Sequence, residues 1–101
     1  MRVKTEAIQF KADQKLIHFI EKKLDKLQRY FDQIIDVRVT LKLENSGQVR
    51  DKIAEVKLSI PGTLIVASGT QKTFEAAIDR TVDNLKRQLR KYKGKRYSRK
   101  K

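Results

Sequence analysis

The chain has no cysteine and no tryptophan, one histidine, one proline and only four glycines in its 101 residues. Without cysteine, neither a disulfide framework nor a thiolate metal site can form. His18 alone cannot hold a metal without several carboxylates around it, and no run of the sequence has metal-ligand spacing, so no metal or other cofactor is expected. There is no glycine-rich phosphate loop and no nucleophile with a matching histidine and acid, so neither an enzyme nor a small-molecule substrate is expected. The longest apolar run, Leu64-Ile65-Val66-Ala67, is far short of the roughly 20 residues that span a membrane. The opening Met1–Glu6 lacks the apolar stretch of a secretory signal, which makes a cytoplasmic location the expectation.

Acidic residues are missing from one part of the chain. Twenty-five Lys and Arg face twelve Asp and Glu, for a formal net charge of +13. All twelve acids and fifteen of the bases lie in residues 1–85, and the other ten bases lie in 86–101. A local field of that density attracts polyanions, and counterions released from nucleic acid would drive binding. A solvated basic tail that merely aids solubility is the plainer account of the tail by itself. An anionic membrane is a weaker rival, because the basic segment carries few large apolar residues to insert.

At this length one domain is expected. Arg2 to Ile8 alternates in part, as a strand does. Asp13 is placed to cap a helix from Gln14 to about Phe31, in which Leu16, Ile20, Leu24, Leu27 and Phe31 recur every three or four residues. From Asp36 the period changes to two, with Val37, Val39, Leu41 and Leu43 on one face. Asn45-Ser46-Gly47 predicts a turn and Gln48 to Asp51 a loop. Val56, Leu58 and Ile60 mark the next strand, Pro61-Gly62 a tight turn, and Thr63 to Ser68 a last strand ending at Gly69. Thr73 can cap a second helix from Phe74 to about Tyr92, with Ile78, Val82, Leu85, Leu89 and Tyr92 facing inward. The expectation is an α+β fold of order βαβββα, a four-stranded sheet with two helices packed on one face, since each helix has one stripe to bury. Residues 1–94 form the domain, and 95–101 are expected to be a disordered basic tail.

Winding the helices at 100° per residue turns position into chemistry. Lys15, Lys22, Lys26 and Arg29 fall in one sector of the first helix, with Glu21, Asp25 and Gln28 on the other side. In the second helix Arg80, Arg87 and Lys91 share an exposed sector around Asn84, while Lys86, Arg90 and Lys93 form a second basic edge nearer the core. Cations at a helix C-terminus also offset the macrodipole, but one or two suffice for that. Long basic side chains on two neighbouring helices suit phosphates more than bases. Phe10, Phe19, Phe31 and Phe74 sit in or beside apolar stripes, which argues against recognition by base stacking. Folded RNA, read by shape and phosphate position, fits best. The carboxylate pairs Glu21/Asp25 and Asp79/Asp83 are expected to be ordinary solvent-facing acids, and His18 an exposed surface residue.

Lys23-Leu24-Asp25-Lys26-Leu27-Gln28-Arg29-Tyr30-Phe31-Asp32, running into Val37 to Glu44, resembles the first helix and second strand of the bacterial ribosome hibernation promoting factor and ribosome-associated inhibitor family. Val66-Ala67-Ser68-Gly69, Ala76-Ala77-Ile78-Asp79 and Leu85-Lys86-Arg87-Gln88-Leu89 resemble that family's last strand and second helix. The resemblance covers residues 1–95 and implies a fold laid out like double-stranded RNA-binding domains. It further implies binding to rRNA of the small ribosomal subunit in the channel of mRNA and tRNA anticodon arms, with translation silenced and idle ribosomes protected. Lys23, Lys26, Arg29, Arg87 and Lys91 match basic family positions, and helical geometry adds Lys22, Arg80, Arg90 and Lys93. Asn84 departs from the family, where lysine is frequent. The inhibitor subtype ends in an acidic tail and long members add a second domain, so the short hibernation promoting type is the expected match. Short members imply a separate helper protein for pairing ribosomes.

Two other classes stay open on the sequence. One is a general double-stranded or structured RNA-binding module, although such modules usually carry lysines where this chain has Thr73-Phe74-Glu75-Ala76. The other is a protein-interaction domain with an acidic partner.

Overall fold

The computed structural model describes residues 1–46 and 49–98. Its elements are β1 (Arg2–Ala7), α1 (Gln14–Tyr30), β2 (Asp36–Ser46), β3 (Val49–Ile60), β4 (Thr63–Gln71) and α2 (Phe74–Ser98). The sheet order is β1-β2-β3-β4. β1 runs parallel to β2, which requires a crossover that α1 supplies. The β2–β3 and β3–β4 pairs are antiparallel.

Local chemistry sets the element ends. The Asp13 carboxylate accepts from the Leu16 amide at 2.8 Å, and the Thr73 hydroxyl oxygen accepts from the Ala76 amide at 3.1 Å. Each satisfies an amide of the first turn that no helical carbonyl can reach. Pro61-Gly62 closes the β3–β4 hairpin between the paired residues Ile60 and Thr63, with Gly62 at φ +82°. That backbone is open to glycine and strained for other residues.

Both helices lie on one face of the sheet and bury a single core. Leu16, Ile20, Leu24 and Leu27 of α1 and Phe74, Ile78, Val82, Leu85 and Leu89 of α2 pack on Val37, Val39, Leu41, Ala54, Val56, Leu58, Ile65 and Ala67. Alternation along each strand sends the intervening residues, mostly polar but with Leu64 and Val66 among them, to the open face. The Lys23 ammonium meets the Asp79 carboxylate and Lys93 meets the Tyr30 carbonyl, so the two helices run in the same direction.

Three expectations change. β2 and β3 stay paired to Ser46 and Val49, so the loop expected from Gln48 to Asp51 is largely strand. Once register is fixed, main-chain pairing continues along both strands as far as Ser46 and Val49; Gly47 and Gln48 lie outside the described residues. β4 does not end at Gly69 but runs on to Gln71. Gly69 marks the place where α2 comes closest to the strand: a Cβ there would lie 2.7 Å from the Ala77 carbonyl oxygen and 2.8 Å from the Thr81 hydroxyl. Finally, α2 continues through Gly94 to Ser98 instead of stopping near Tyr92. A single glycine costs a helix only about 1 kcal/mol relative to alanine, and the surrounding Lys and Arg are good helix formers. The expected disordered tail is therefore corrected for residues 95–98, while 99–101 lie outside the described residues.

Candidate nucleic-acid interface

The outer faces of α1 and α2 carry the basic sectors. Lys22, Lys26 and Arg29 are exposed on the side of α1 away from Leu16, Ile20 and Leu27, and Arg80, Arg87, Arg90 and Lys91 are exposed on α2. Because the helices lie side by side in the same direction, these sectors form two neighbouring ridges. Packed helices have axes about 8–10 Å apart, close enough for both ridges to reach one folded polyanion.

The nine residues proposed from the sequence divide into two groups. Lys22, Lys26, Arg80, Arg87, Arg90 and Lys91 form no salt bridge among the described residues. Their charges are uncompensated at short range. The other three are engaged within the fold. Lys23, half-buried, bonds Asp79 across the helix pair at 2.8 Å and lies over the Phe19 ring. Lys93, also half-buried, donates to the Tyr30 carbonyl at 3.4 Å, with its ammonium 4.8 Å from the Tyr30 ring centre. Arg29 pairs with Asp25 one turn back at 3.3 Å.

These contacts correct two readings of the sequence. The signs on α1 are not fully segregated, because Asp25 and Arg29 meet across the sector border. An exposed i,i+4 pair of this kind is worth only about 0.3–0.5 kcal/mol, so it leaves Arg29 available to an outside anion. Asp79 is also more than a solvent-facing acid. It pairs with Lys23 of α1 across the helix contact, a half-exposed bridge worth about 0–1 kcal/mol on top of the buried core that sets the helix spacing. His18 is exposed, as expected.

Asn84 has a structural role that the sequence did not disclose. Its side-chain oxygen accepts from the Gln88 amide at 2.7 Å, and the same amide donates to the Val66 carbonyl at 3.0 Å. Gln88 thus fastens α2 to β4, and Asn84 holds Gln88 in place. Thr81 does the same deeper in the interface. It is fully buried, and its hydroxyl lies 2.7 Å from the Ala77 carbonyl and 3.4 Å from that of Ala54.

Aromatic rings are spent on packing. Phe10 stacks on Phe74 with centroids 4.9 Å apart, and Phe31 meets Tyr92 edge-on at 6.0 Å. Of the rings of Phe10, Phe19, Tyr30, Phe31, Phe74 and Tyr92, none is fully exposed as a platform for bases. No cluster of three or more potential metal ligands occurs among them, and no described helix is long and apolar enough to cross a membrane.

Sequence reasoning overlooked a set of bases on the open face of the sheet. Lys4, Arg38 and Lys57 lie directly opposite one another across β1, β2 and β3. Outward alternation was readable for Arg38 and Lys57, but their alignment with Lys4 depends on the register of β1 beside β2.

Comparison with known proteins bears on what this surface is for. The family described as "Sigma 54 modulation protein / S30EA ribosomal protein" matches residues 3–97. A ribosome hibernation promoting factor of Pseudomonas putida is 35% identical over 98 residues, covering 97% of this chain and 92% of that protein. A ribosome hibernation promotion factor of Deinococcus radiodurans is 44% identical over 77 residues, covering 74% of this chain but only 40% of that longer protein. Among solved structures, a ribosomal subunit interface protein from Coxiella burnetii superposes with a TM-score of 0.84 over 93% of this chain and 99% of its own. At 23% identity that likeness speaks for the fold. With the profile spanning nearly the whole chain, and with a relative of similar length above 30% identity, the chain belongs to the S30EA ribosomal protein family of ribosome-associated factors.

Proposed function

We propose that this chain is a hibernation factor that binds rRNA of the small ribosomal subunit, in the channel of mRNA and tRNA anticodon arms. It blocks translation there by occupancy and stabilises inactive ribosomes in the cytoplasm. No catalysis is involved. The observation that carries this reading is the pair of parallel ridges on α1 and α2, with six exposed cations unpaired among the described residues. Such a surface exchanges condensed counterions for lysine and arginine at several phosphates at once. The family membership and the names of the relatives support the ribosome as the source of those phosphates. Pairing of ribosomes through a separate helper protein belongs to the same reading. The test is co-sedimentation of the chain with purified small subunits at low and raised salt. Binding that weakens steeply with salt is expected, and a chain left at the top of the gradient at low salt contradicts the proposal.

A general duplex-RNA module fits less well. Its lysine cluster would sit at the start of the last helix, where Phe74 is buried and Glu75 is acidic.

Asn84→Lys gives the proposal a second handle. Lysine there adds a cation among Arg80, Arg87 and Lys91, while removing the acceptor that holds Gln88. Affinity for small subunits is expected to rise by up to about tenfold, the equivalent of roughly 1.4 kcal/mol for one new phosphate contact. Stability should fall by about 0.5–1 kcal/mol, the usual net worth of a lost hydrogen bond. Binding titration and denaturant unfolding read the two effects separately.

A further inference from the structure

The open face of the sheet carries an arrangement that the fold alone does not explain. Lys4 pairs in register with Arg38, and Arg38 with Lys57, so three cations stand side by side across three adjacent strands. Strands lie about 4.8 Å apart, which puts the outer two about 10 Å from each other. Like charges directly opposite on neighbouring strands repel and destabilise the pairing. None of the three has a carboxylate within 4.0 Å among the described residues. The rows on either side carry acids, Glu6 and Glu55 in one and Asp36 opposite Arg2 in the other, but Glu55 is engaged by Lys42 at 2.9 Å and none of them stands within the row itself. A single acid at position 38 would have turned two repulsions into two attractions.

The surroundings of this row narrow what could neutralise it. Beside this row is a groove of about 370 Å³ lined by Arg2, Lys4, Asp36 and Arg38, with Val3 and Val37 of the same two strands. The open face of the sheet has no aromatic residue at any of its outward strand positions, so bases have nothing to stack on. Cations in line without stacking platforms suit a run of backbone phosphates. The row also lies at the end of the sheet where β2 begins just after α1, the end toward which α2 carries its own basic residues.

We propose that Lys4, Arg38 and Lys57 form a second phosphate-binding row, which engages a stretch of RNA backbone on the side of the domain opposite the helices. The domain then sits between two RNA surfaces, one against the helix ridges and one against the sheet. This rests on the reading that the partner is ribosomal RNA, and it adds a face which that reading does not require.

The test uses Arg38→Thr/Lys57→Thr in the full chain, with threonine chosen because it suits a strand. Removing the repulsion should leave the thermal midpoint unchanged or raised. Affinity for small subunits should fall at least tenfold, and the slope of log K against log salt should shrink by about 1.5, the change for two lost phosphate contacts. Because the chain has no cysteine, Lys57→Cys can also carry a single iron-chelate hydroxyl-radical source. Cleavage of rRNA from that position in the bound complex is expected. Wild-type affinity and slope in the double variant overturn the second row, while leaving the helix ridges and the ribosome reading untouched. Weakened binding without rRNA cleavage overturns RNA as the occupant and points to an acidic protein surface. Failure of the wild-type chain to bind small subunits at all overturns both readings.

Discussion

Arg87→Glu/Lys91→Glu is expected to lower affinity for small ribosomal subunits by about 100-fold at moderate salt, taking roughly 1.4 kcal/mol for each reversed contact. Both side chains are exposed on the outer face of α2, one turn apart, and neither forms a salt bridge among the described residues. Nothing in the core depends on them. Surface substitutions of this kind stay within about 0.5 kcal/mol of wild-type stability, so the thermal midpoint should move by no more than about 4 °C. A matched control separates local contact from total charge. Lys11→Glu/Lys72→Glu changes the net charge equally, near the start of the two helices and away from the basic ridges. Screening limits exposed charges to about 10 Å at 0.1 M salt, so that control should keep affinity within about threefold. Equal losses in the two double variants would mean that the overall field, not the ridge on α2, does the binding.

Gly69→Ala is expected to have the largest effect on stability. The added Cβ would meet the Ala77 carbonyl oxygen at 2.7 Å, the Thr81 hydroxyl at 2.8 Å and the Arg80 Cβ at 3.2 Å. The first of these is helix backbone and cannot swing aside, so α2 must lift from β4. Lifting it strains the contacts of Thr81 and loosens the Gln88 bond to Val66. Overpacking of this kind costs about 1–3 kcal/mol, and the expected value here is near the middle, about 2 kcal/mol, or roughly 10 °C in thermal midpoint for a domain of this size. A shift of the urea midpoint with an unchanged slope would show that stability alone has changed. Ribosome binding should weaken too, even well below the melting temperature, because Arg80 sits on the turn that moves. An unchanged midpoint would mean that the helix can shift at no cost.

The periodicities that carry burial were also the ones legible in the sequence. Leu16, Ile20, Leu24 and Leu27 defined α1 by spacing, and Asp13 and Thr73 announced both helix starts through the amides they satisfy. Pro61-Gly62 specified its turn because few other residue pairs tolerate that backbone. Features that depend on contact between distant segments were not legible. Gly69 reads equally well as a strand end or as a point of close approach, and only the packing of α2 decides between them. The sequence ranked Lys23 and Lys93 with the other bases, because nothing local shows that Asp79 and Tyr30 lie beside them. The alignment of Lys4 with Arg38 and Lys57 was hidden for the same reason. A strand's outward residues follow from alternation, but its register beside a parallel partner reached through a helix does not.

If the proposed function is right, the helix ridges recognise the shape of the small subunit and not RNA charge in general. That recognition is tested most directly by titrating the wild-type chain against purified small ribosomal subunits and against an arbitrary RNA duplex, each at low and raised salt. Both affinities are expected to fall with salt, as phosphate contacts require. The small subunit should be preferred by about 100-fold or more at each salt, since specific nucleic-acid sites exceed non-specific ones by at least that much. Equal affinity for the duplex and the subunit, or subunit binding indifferent to salt, would contradict it.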